Sequence, residues 1–214
     1  SSGDARGSIK LSAARTFADS TLGQSLIDFA AAHPEITLEI HLDDRFVDLV
    51  EEGFDLAIRI TRLEDSSLIA RRLAPMGINI CASPELIKQY GTPAHPQELA
   101  KMPCIIDTNS RWRTNWPFVD EKGQAMSVAV PARLEVNSPF AVRAAAVAGM
   151  GFATLPDFVA LPDLRAGRLV SVLEGWARSD AGIFAVYPHR RYLPARIRVM
   201  VDYLAQWFRD NSAS

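Results

Sequence analysis

No run of about 18 apolar residues occurs in this 214-residue chain, so the sequence predicts no membrane-spanning helix. An excess of basic charge is also missing. Lys and Arg number 23 against 25 Asp and Glu, a formal net charge of -2. A module that grips nucleic acid by itself would show a basic face or stripe. Cysteine is scarce: Cys81 and Cys104 lie in the apolar contexts Ile-Asn-Ile-Cys-Ala and Met-Pro-Cys-Ile-Ile, without CxxC spacing or a nearby His partner. That spacing argues against a metal site and for two buried free thiols, a redox pair being the alternative. No Ser or Cys stands in a nucleophile elbow and no His pair has metal spacing. The pair Gly149-x-Gly151 lacks the third glycine and the strand-before-helix order of a dinucleotide fingerprint, and reads as a helix stop. No cofactor or metal is therefore expected. The opening Ser-Ser-Gly-Asp-Ala-Arg-Gly-Ser is polar, lacks the apolar stretch of a signal peptide, and reads as a linker tail over residues 1–8 of something longer.

What is present is an ordinary globular composition, 48% hydrophobic and 22% charged. Ile9–Ala13 reads as a first strand, residues 18–32 as a helix stopping before His33-Pro34, and Ile36–Ile40 as a second strand. Phe46, Leu49 and Val50 have helical spacing over 46–52, Gly53 is a helix stop, and Phe54–Ile60 forms a short apolar run of the buried-strand kind. This βαβαβ order implies a parallel sheet. An extended segment, Leu73–Ala82, then leads to two N-caps followed by proline, Ser83-Pro84 and Ser138-Pro139. Between them lie a strand at Pro103–Asp107, a hairpin over 116–130 and a strand at 134–136. Strands at 152–155, 169–173 and 182–187 follow, and an amphipathic helix near Pro194 carries Ile197, Met200, Val201, Leu204, Trp207 and Phe208 on one face. The pattern suits two α/β lobes joined by crossing strands, with the last helix packed back on the first.

Leu11–Phe17, Phe54–Ile60, Asp65–Leu68, Cys81–Pro84, Ala144–Leu155 and Tyr187-Pro188, in this order and spacing, resemble the effector-binding domain of LysR-type bacterial transcriptional regulators. The likeness runs from Gly7 to about Phe208. It implies an α/β fold of two Rossmann-like lobes joined by crossing strands, the type-2 periplasmic binding protein fold. Lobe I would cover 9–82, lobe II 83–182, and residues 183–214 would complete lobe I. It implies an effector-sensing and oligomerisation domain that binds a small organic ligand, anionic or aromatic, between the lobes. The expected partners are that small molecule, further copies in a homodimer or homotetramer, and DNA only through an N-terminal helix-turn-helix absent from this sequence. Pairing would use the first helix and second strand. No membrane association, a cytoplasmic location and no enzymatic activity are expected. A periplasmic solute-binding protein for transport is the alternative with the same fold.

Ligands of parallel α/β sheets bind outside the carboxyl ends of the strands. Arg15, Thr16 and Phe17 follow the first strand, where Thr16 either contacts a ligand or caps the helix. Thr61 and Arg62 follow the third, and Arg62 either pairs with an anion or sits in a solvated loop. Ser67 stands in a turn that the resemblance puts beside the ligand. In the second lobe Asp107, Thr108 and Asn109 follow a strand, and Asn137 precedes the capping Ser138. Phe152 is either an apolar wall of the site or core. Arg111-Trp112-Arg113 with Trp116 mixes basic and aromatic residues, but one such cluster in a chain of net charge -2 reads as a surface loop. His41, Asp43 and Asp44 form the one compact His/carboxylate group and read as caps and surface groups, not as a catalytic set.

Overall fold

The computed structural model describes residues 5–45, 47–61, 68–177, 181–189 and 191–211, Thr61 through its backbone alone. In chain order come β1 (Gly7–Ala13), α1 (Arg15–Ala18), a 3-10 turn at Thr21–Gly23, α2 (Gln24–Ala32), β2 (Ile36–Leu42), β3 (Leu56–Thr61) and β4 (Leu68–Pro75). Next are β5 (Ile78–Ala82), α3 (Pro84–Tyr90), β6 (Cys104–Asp107), β7 (Asn115–Val119), β8 (Ala125–Ala129) and β9 (Ala132–Val136). The remainder is α4 (Pro139–Val147), β10 (Ala153–Pro156), α5 (Asp157–Arg165), β11 (Val170–Val172), β12 (Gly182–Pro188) and α6 (Ala195–Asn211). Two compact units result: Ser1–Met76 with Asp180–Ser214, and Gly77–Ser179.

The first unit is a five-stranded sheet of order β2-β1-β3-β12-β4. β1 runs parallel to β2 and β3, and β12 runs antiparallel to β3 and β4. Leu11, Ser12 and Ala13 are all buried, the mark of a strand covered on both faces. α6 buries Ile197, Met200, Val201, Leu204 and Phe208, its helical stripe. Each such side chain contributes about 1.5–3 kcal/mol when fully buried. Phe17 packs near Phe208, ring centroids 6.1 Å apart, and the Trp207 indole N–H donates to Asp28 on α2 at 2.8 Å.

Three local expectations are corrected here. The strand β1 starts at Gly7, so Gly7 and Ser8 of the expected tail pair with Ile36 and Thr37. The helix expected over 18–32 is broken: the Ser20 hydroxyl accepts from Leu22 N–H, and Gly23 lies so close to Ala18 that an added Cβ would stand 2.0 Å from its carbonyl oxygen. Residues 48–53 make a turn in place of a helix. Asp48 accepts from Glu51 N–H, Glu52 N–H donates to the Asp48 carbonyl, and Gly53 at φ +73 ends it. One turn between such stops cannot recover the cost of helix nucleation. Its Leu49 nonetheless packs with Phe54 and Ala57, as the apolar spacing required.

In the second unit β10-β5-β11 is antiparallel, β6-β9 is parallel and β7-β8 is a hairpin. The chain divides at Gly77 and not after Ala82, because β5 takes both its neighbours from this unit. β6 meets β10 through a parallel bridge between Cys104 and Phe152, with Ile105 N–H donating to the Phe152 carbonyl at 2.8 Å. That approach needs glycine at 151, where an added Cβ would stand 2.8 Å from the Pro103 carbonyl oxygen. Both serine caps form as expected, Ser83 accepting from Leu86 N–H and Ser138 from Ala141 N–H.

Helix α5 is not evident from sequence, because Pro162 lies inside it. Burial of Val159 and Ala160 and an ion cluster hold it in place. Asp163, fully buried, accepts hydrogen bonds from Arg143 on α4 and from Arg168. The Arg143 hydrogen bond holds the Asp163 carboxyl below the ordinary carboxylate range; burial opposes the shift, and Arg168 adds to it.

Phe152→Ala should destabilise the fold by about 3–5 kcal/mol in urea unfolding, since Phe152 fills the core of the second unit. Asp163→Asn should cost about 1–3 kcal/mol at pH 7, because both arginines are partly exposed. A lowered folded pKa gives stability that is present above the unfolded value, about pH 3.9, and is lost as pH falls through the folded one. The gap between wild type and Asp163→Asn should therefore close in unfolding curves taken below about pH 4.

Candidate functional site

In the first unit the parallel strands β1, β2 and β3 deliver a polar group at their carboxyl ends. Asp44, just beyond β2, accepts the Thr16 backbone N–H at 3.0 Å and the Thr16 hydroxyl at 3.2 Å. Thr16 is buried, so its two donors serve an internal carboxylate. Arg59 on β3 is buried as well, and its guanidinium donates to the Ser12 hydroxyl at 2.7 Å. Burial pushes Arg59 below its ordinary pKa, while the charges of Asp43 and Asp44 oppose that shift. Asp43 is clasped by Arg45, whose guanidinium and backbone N–H both donate to it and hold its carboxyl below the usual range. A cavity of about 480 Å³ opens here, with Ser12, Arg15, His41, Asp43, Arg45 and Glu52 as its polar lining and Ile40, Leu42, Val47 and Phe54 as its apolar wall. Its size lies within the range of small-molecule sites, roughly 300–1,000 Å³.

The second unit presents a smaller polar set beyond β6 and β9. Thr108 N–H continues the ladder to the Val136 carbonyl at 2.9 Å, and the Asn109 backbone N–H donates to Asp107 at 2.9 Å. The Asn109 side-chain amide donates to the Asn137 carbonyl at 2.8 Å, joining the two strand ends. Asn137 is exposed, which leaves its own side chain open to solvent. Arg113 sits at φ +46 in the following loop, and its carbonyl accepts the Trp116 indole N–H at 3.1 Å.

The structure thus places Arg15 and Thr16 beside one polar group, and Asp107, Thr108 and Asn137 beside another. Phe17 and Phe152 are fully buried, and both pack in cores instead of facing a ligand. Thr61 ends β3, and Arg62 and Ser67 lie outside the described residues. Ser12, Arg45, Arg59 and Asn109 escaped the sequence reading. Arg59 stands in an apolar run, where a lone arginine in a buried strand was the available signal. Asn109 was placed after its strand without a role, since its bond to residue 137 is not local. His41 pairs with Glu39 at 3.2 Å and meets the Phe54 ring edge-on, so His41, Asp43 and Asp44 each have separate partners. Among the described residues no group of three His, Cys, Asp or Glu could hold a metal ion.

Comparison with known proteins gives a consistent assignment. Residues 2–209 match the family model described as LysR substrate binding domain. An uncharacterized HTH-type transcriptional regulator of Haemophilus influenzae is 31% identical over 192 residues, covering 90% of this chain and 66% of its own length. The HTH-type transcriptional regulator PtxR of Pseudomonas aeruginosa is 30% identical over 204 residues, 95% of this chain and 65% of its own. The chain therefore spans about two thirds of the length of these relatives. The regulatory domain of CrgA, a LysR-type transcriptional regulator from Neisseria meningitidis, is 27% identical with a TM-score of 0.77, covering 94% of this chain and 98% of that one.

Both thiols are fully buried, and burial pushes each up to about 12. Cys81 packs with Ile105 and Ala153, whereas Cys104 packs with Ile106 and Phe152, so they point into different clusters. Neither thiol should react with a disulfide reagent at pH 7–8 in the native protein, and both should react at once in urea. Fast native labelling or a Cys81–Cys104 disulfide in peptide mass spectra would contradict this burial.

Proposed function

The chain belongs to the LysR substrate-binding domain family, and on that basis we propose that it is the effector-sensing part of a DNA-binding transcriptional regulator. The observation that carries this reading is the family match over residues 2–209, together with relatives that are regulators and not transport proteins. The solute-binding alternative is set aside on the same ground. DNA contact is assigned to a helix-turn-helix in a part of the regulator outside these residues, which suits the absence of a net basic charge. No helix among the described residues is long and apolar enough to cross a membrane. The proposed location is the cytoplasm, and the proposed role is binding without catalysis.

The ligand of this reading is a small organic molecule, anionic or aromatic. Its candidate contacts are Arg15, Thr16, Thr61, Arg62 and Ser67, and, as a separate candidate set, Asp107, Thr108 and Asn137. Thr16 takes part only by exchanging Asp44 for the ligand. The ligand acts on transcription by binding two arrangements of the regulator with different affinity. Copies pair in a homodimer or homotetramer through α2 and the edge strand β2, where Ile27 is 57% exposed.

A thermal-shift screen of organic acids and aromatic metabolites against this chain should find stabilising ligands. Asn137→Ala should weaken their binding at least about tenfold by calorimetry, a loss read directly from Kd. Its melting temperature should stay that of wild type, because the Asn137 side chain is exposed. A screen without hits, or unchanged affinity in Asn137→Ala, would remove the ligand assignment.

A further inference from the structure

We propose that the cavity on the first sheet holds the carboxylate of a small organic acid, with the Ser12 hydroxyl as its anchor and Arg59 as the residue that orients that hydroxyl. The inference deepens the effector reading and rests on it. Side chains alternate along a strand, so Ser12 shares a face of β1 with Lys10 and not with the core residues Ile9 and Leu11. Its neighbours across the sheet are His41 on β2 and Ala57 on β3. Lys10 and His41 both meet the Phe54 ring, at 4.7 and 5.3 Å, which gathers the three on this face. Ser12 is 1% exposed. Buried polar groups are ordinarily hydrogen-bonded, and a hydroxyl has both an oxygen that accepts and a proton to donate. The Arg59 guanidinium donates to the Ser12 oxygen at 2.7 Å. The Ser12 proton has no acceptor among the described residues.

Ser12 lines the cavity of about 480 Å³, whereas Arg59 does not. Holding Arg59 accounts for the Ser12 oxygen, but it leaves the proton and the open space beside it without a role. A guanidinium on the oxygen also polarises the hydroxyl, because successive hydrogen bonds strengthen one another. Such a donor suits an anionic acceptor. The rest of the lining selects the class of ligand. Of its cationic side chains, Arg45 is clasped by Asp43, and His41 pairs with Glu39 at 3.2 Å. Arg15 has the loosest partner, Asp19 at 3.8 Å, and is available to the second carboxylate oxygen. Ile40, Leu42, Val47 and Phe54 offer the remainder of the ligand an apolar wall. A carboxylate with a short alkyl or phenylalkyl tail meets all of these features. Arg59 is a positioning residue in this arrangement, acting on the ligand through Ser12.

The test is calorimetry of the 214-residue chain with hexanoate and hydrocinnamate, hexanamide serving as the uncharged arm and thermal melts showing that each variant is folded. Both carboxylates should bind, and hexanamide should bind at least about tenfold more weakly. Ser12→Ala should weaken the carboxylates at least about tenfold in Kd. Val47→Trp should do the same by filling the cavity from a segment outside the strands, with the Ser12–Arg59 bond left in place, and it decides the matter if Ser12→Ala does not fold. Arg59→Met should also weaken binding, and Arg59→Lys, which keeps a cation on the hydroxyl, should recover part of the loss. An Arg59 that only held the sheet together would leave the affinity of its folded variants unchanged, and that result overturns its positioning role. Carboxylate binding unaffected by Ser12→Ala or by Val47→Trp overturns the site and leaves the effector reading standing. Equal affinity for hexanoate and hexanamide overturns the carboxylate assignment. A chain that binds neither acid overturns the site as well, whereas the effector reading falls only if the thermal-shift screen is also empty.

Discussion

The first unit depends on one strand that arrives late. β12 lies between β3 and β4, and among the described residues β4 has no other neighbour in the sheet. Ala185 therefore faces Ile58 on one side and Arg71 on the other. Residues 76–181 intervene between β4 and β12, so the sheet of this unit closes only after the whole second unit has been traversed. Closing a longer loop adds little to the equilibrium cost, about 0.6 kcal/mol for each doubling of length. It weighs on the rate, because non-local pairing must be found before it is rewarded. α6 follows β12 directly and brings Ile197, Met200 and Leu204 over the sheet, so strand and helix complete this core together. The second unit is one continuous segment, and the same delay does not apply to it.

This topology explains which features were legible in the sequence. Local signals survived folding. The Ser83-Pro84 and Ser138-Pro139 caps, the apolar runs of β3 and β6 and the stripe of α6 are each set by neighbours a few residues away. Signals that compete with a local cue were misread. Pro162 hides α5, whose place is held by the non-local contact of Asp163 with Arg143. Apolar spacing at 49 and 50 suggested a helix, but that spacing also serves a single turn whose Leu49 reaches the sheet while Val50 points outward. A break within the helix expected over 18–32 was carried by Ser20 and Gly23, residues that only a close approach to Ala18 makes decisive.

The polar groups follow the same division. The strand-end rule led to the loops that hold Thr16, Thr108 and Asn137, because it depends on strand direction alone. Partnership was invisible. Asp44 reaches Thr16 across β1 and β2, Arg59 reaches Ser12 across β1 and β3, and Asn109 reaches the carbonyl of Asn137 across β6 and β9. Aromatic residues at strand ends were ambiguous for a different reason. Phe17 and Phe152 stand beside polar neighbours in sequence, yet a ring at such a position gains more by entering a core than by waiting at a surface.

Those partnerships also constrain recognition. A ligand that uses the Thr16 donors must displace a carboxylate already tethered to the same sheet, and a tethered group competes as if at high concentration. The exchange replaces one charge-assisted hydrogen-bond set by another, so its net gain is a difference and not the full strength of the new bonds. Arg15 stands otherwise: its guanidinium is largely exposed and only 3.8 Å from Asp19, an ion pair of small worth in water. The exposed side chain of Asn137 would give up no internal bond of its own to a ligand either, and its carbonyl accepts from Asn109. For a ligand bound at these strand ends, affinity would then be set by the groups whose internal competition is weakest. A buried donor such as Thr16, already committed to Asp44, would restrict which ligands could make the exchange at all.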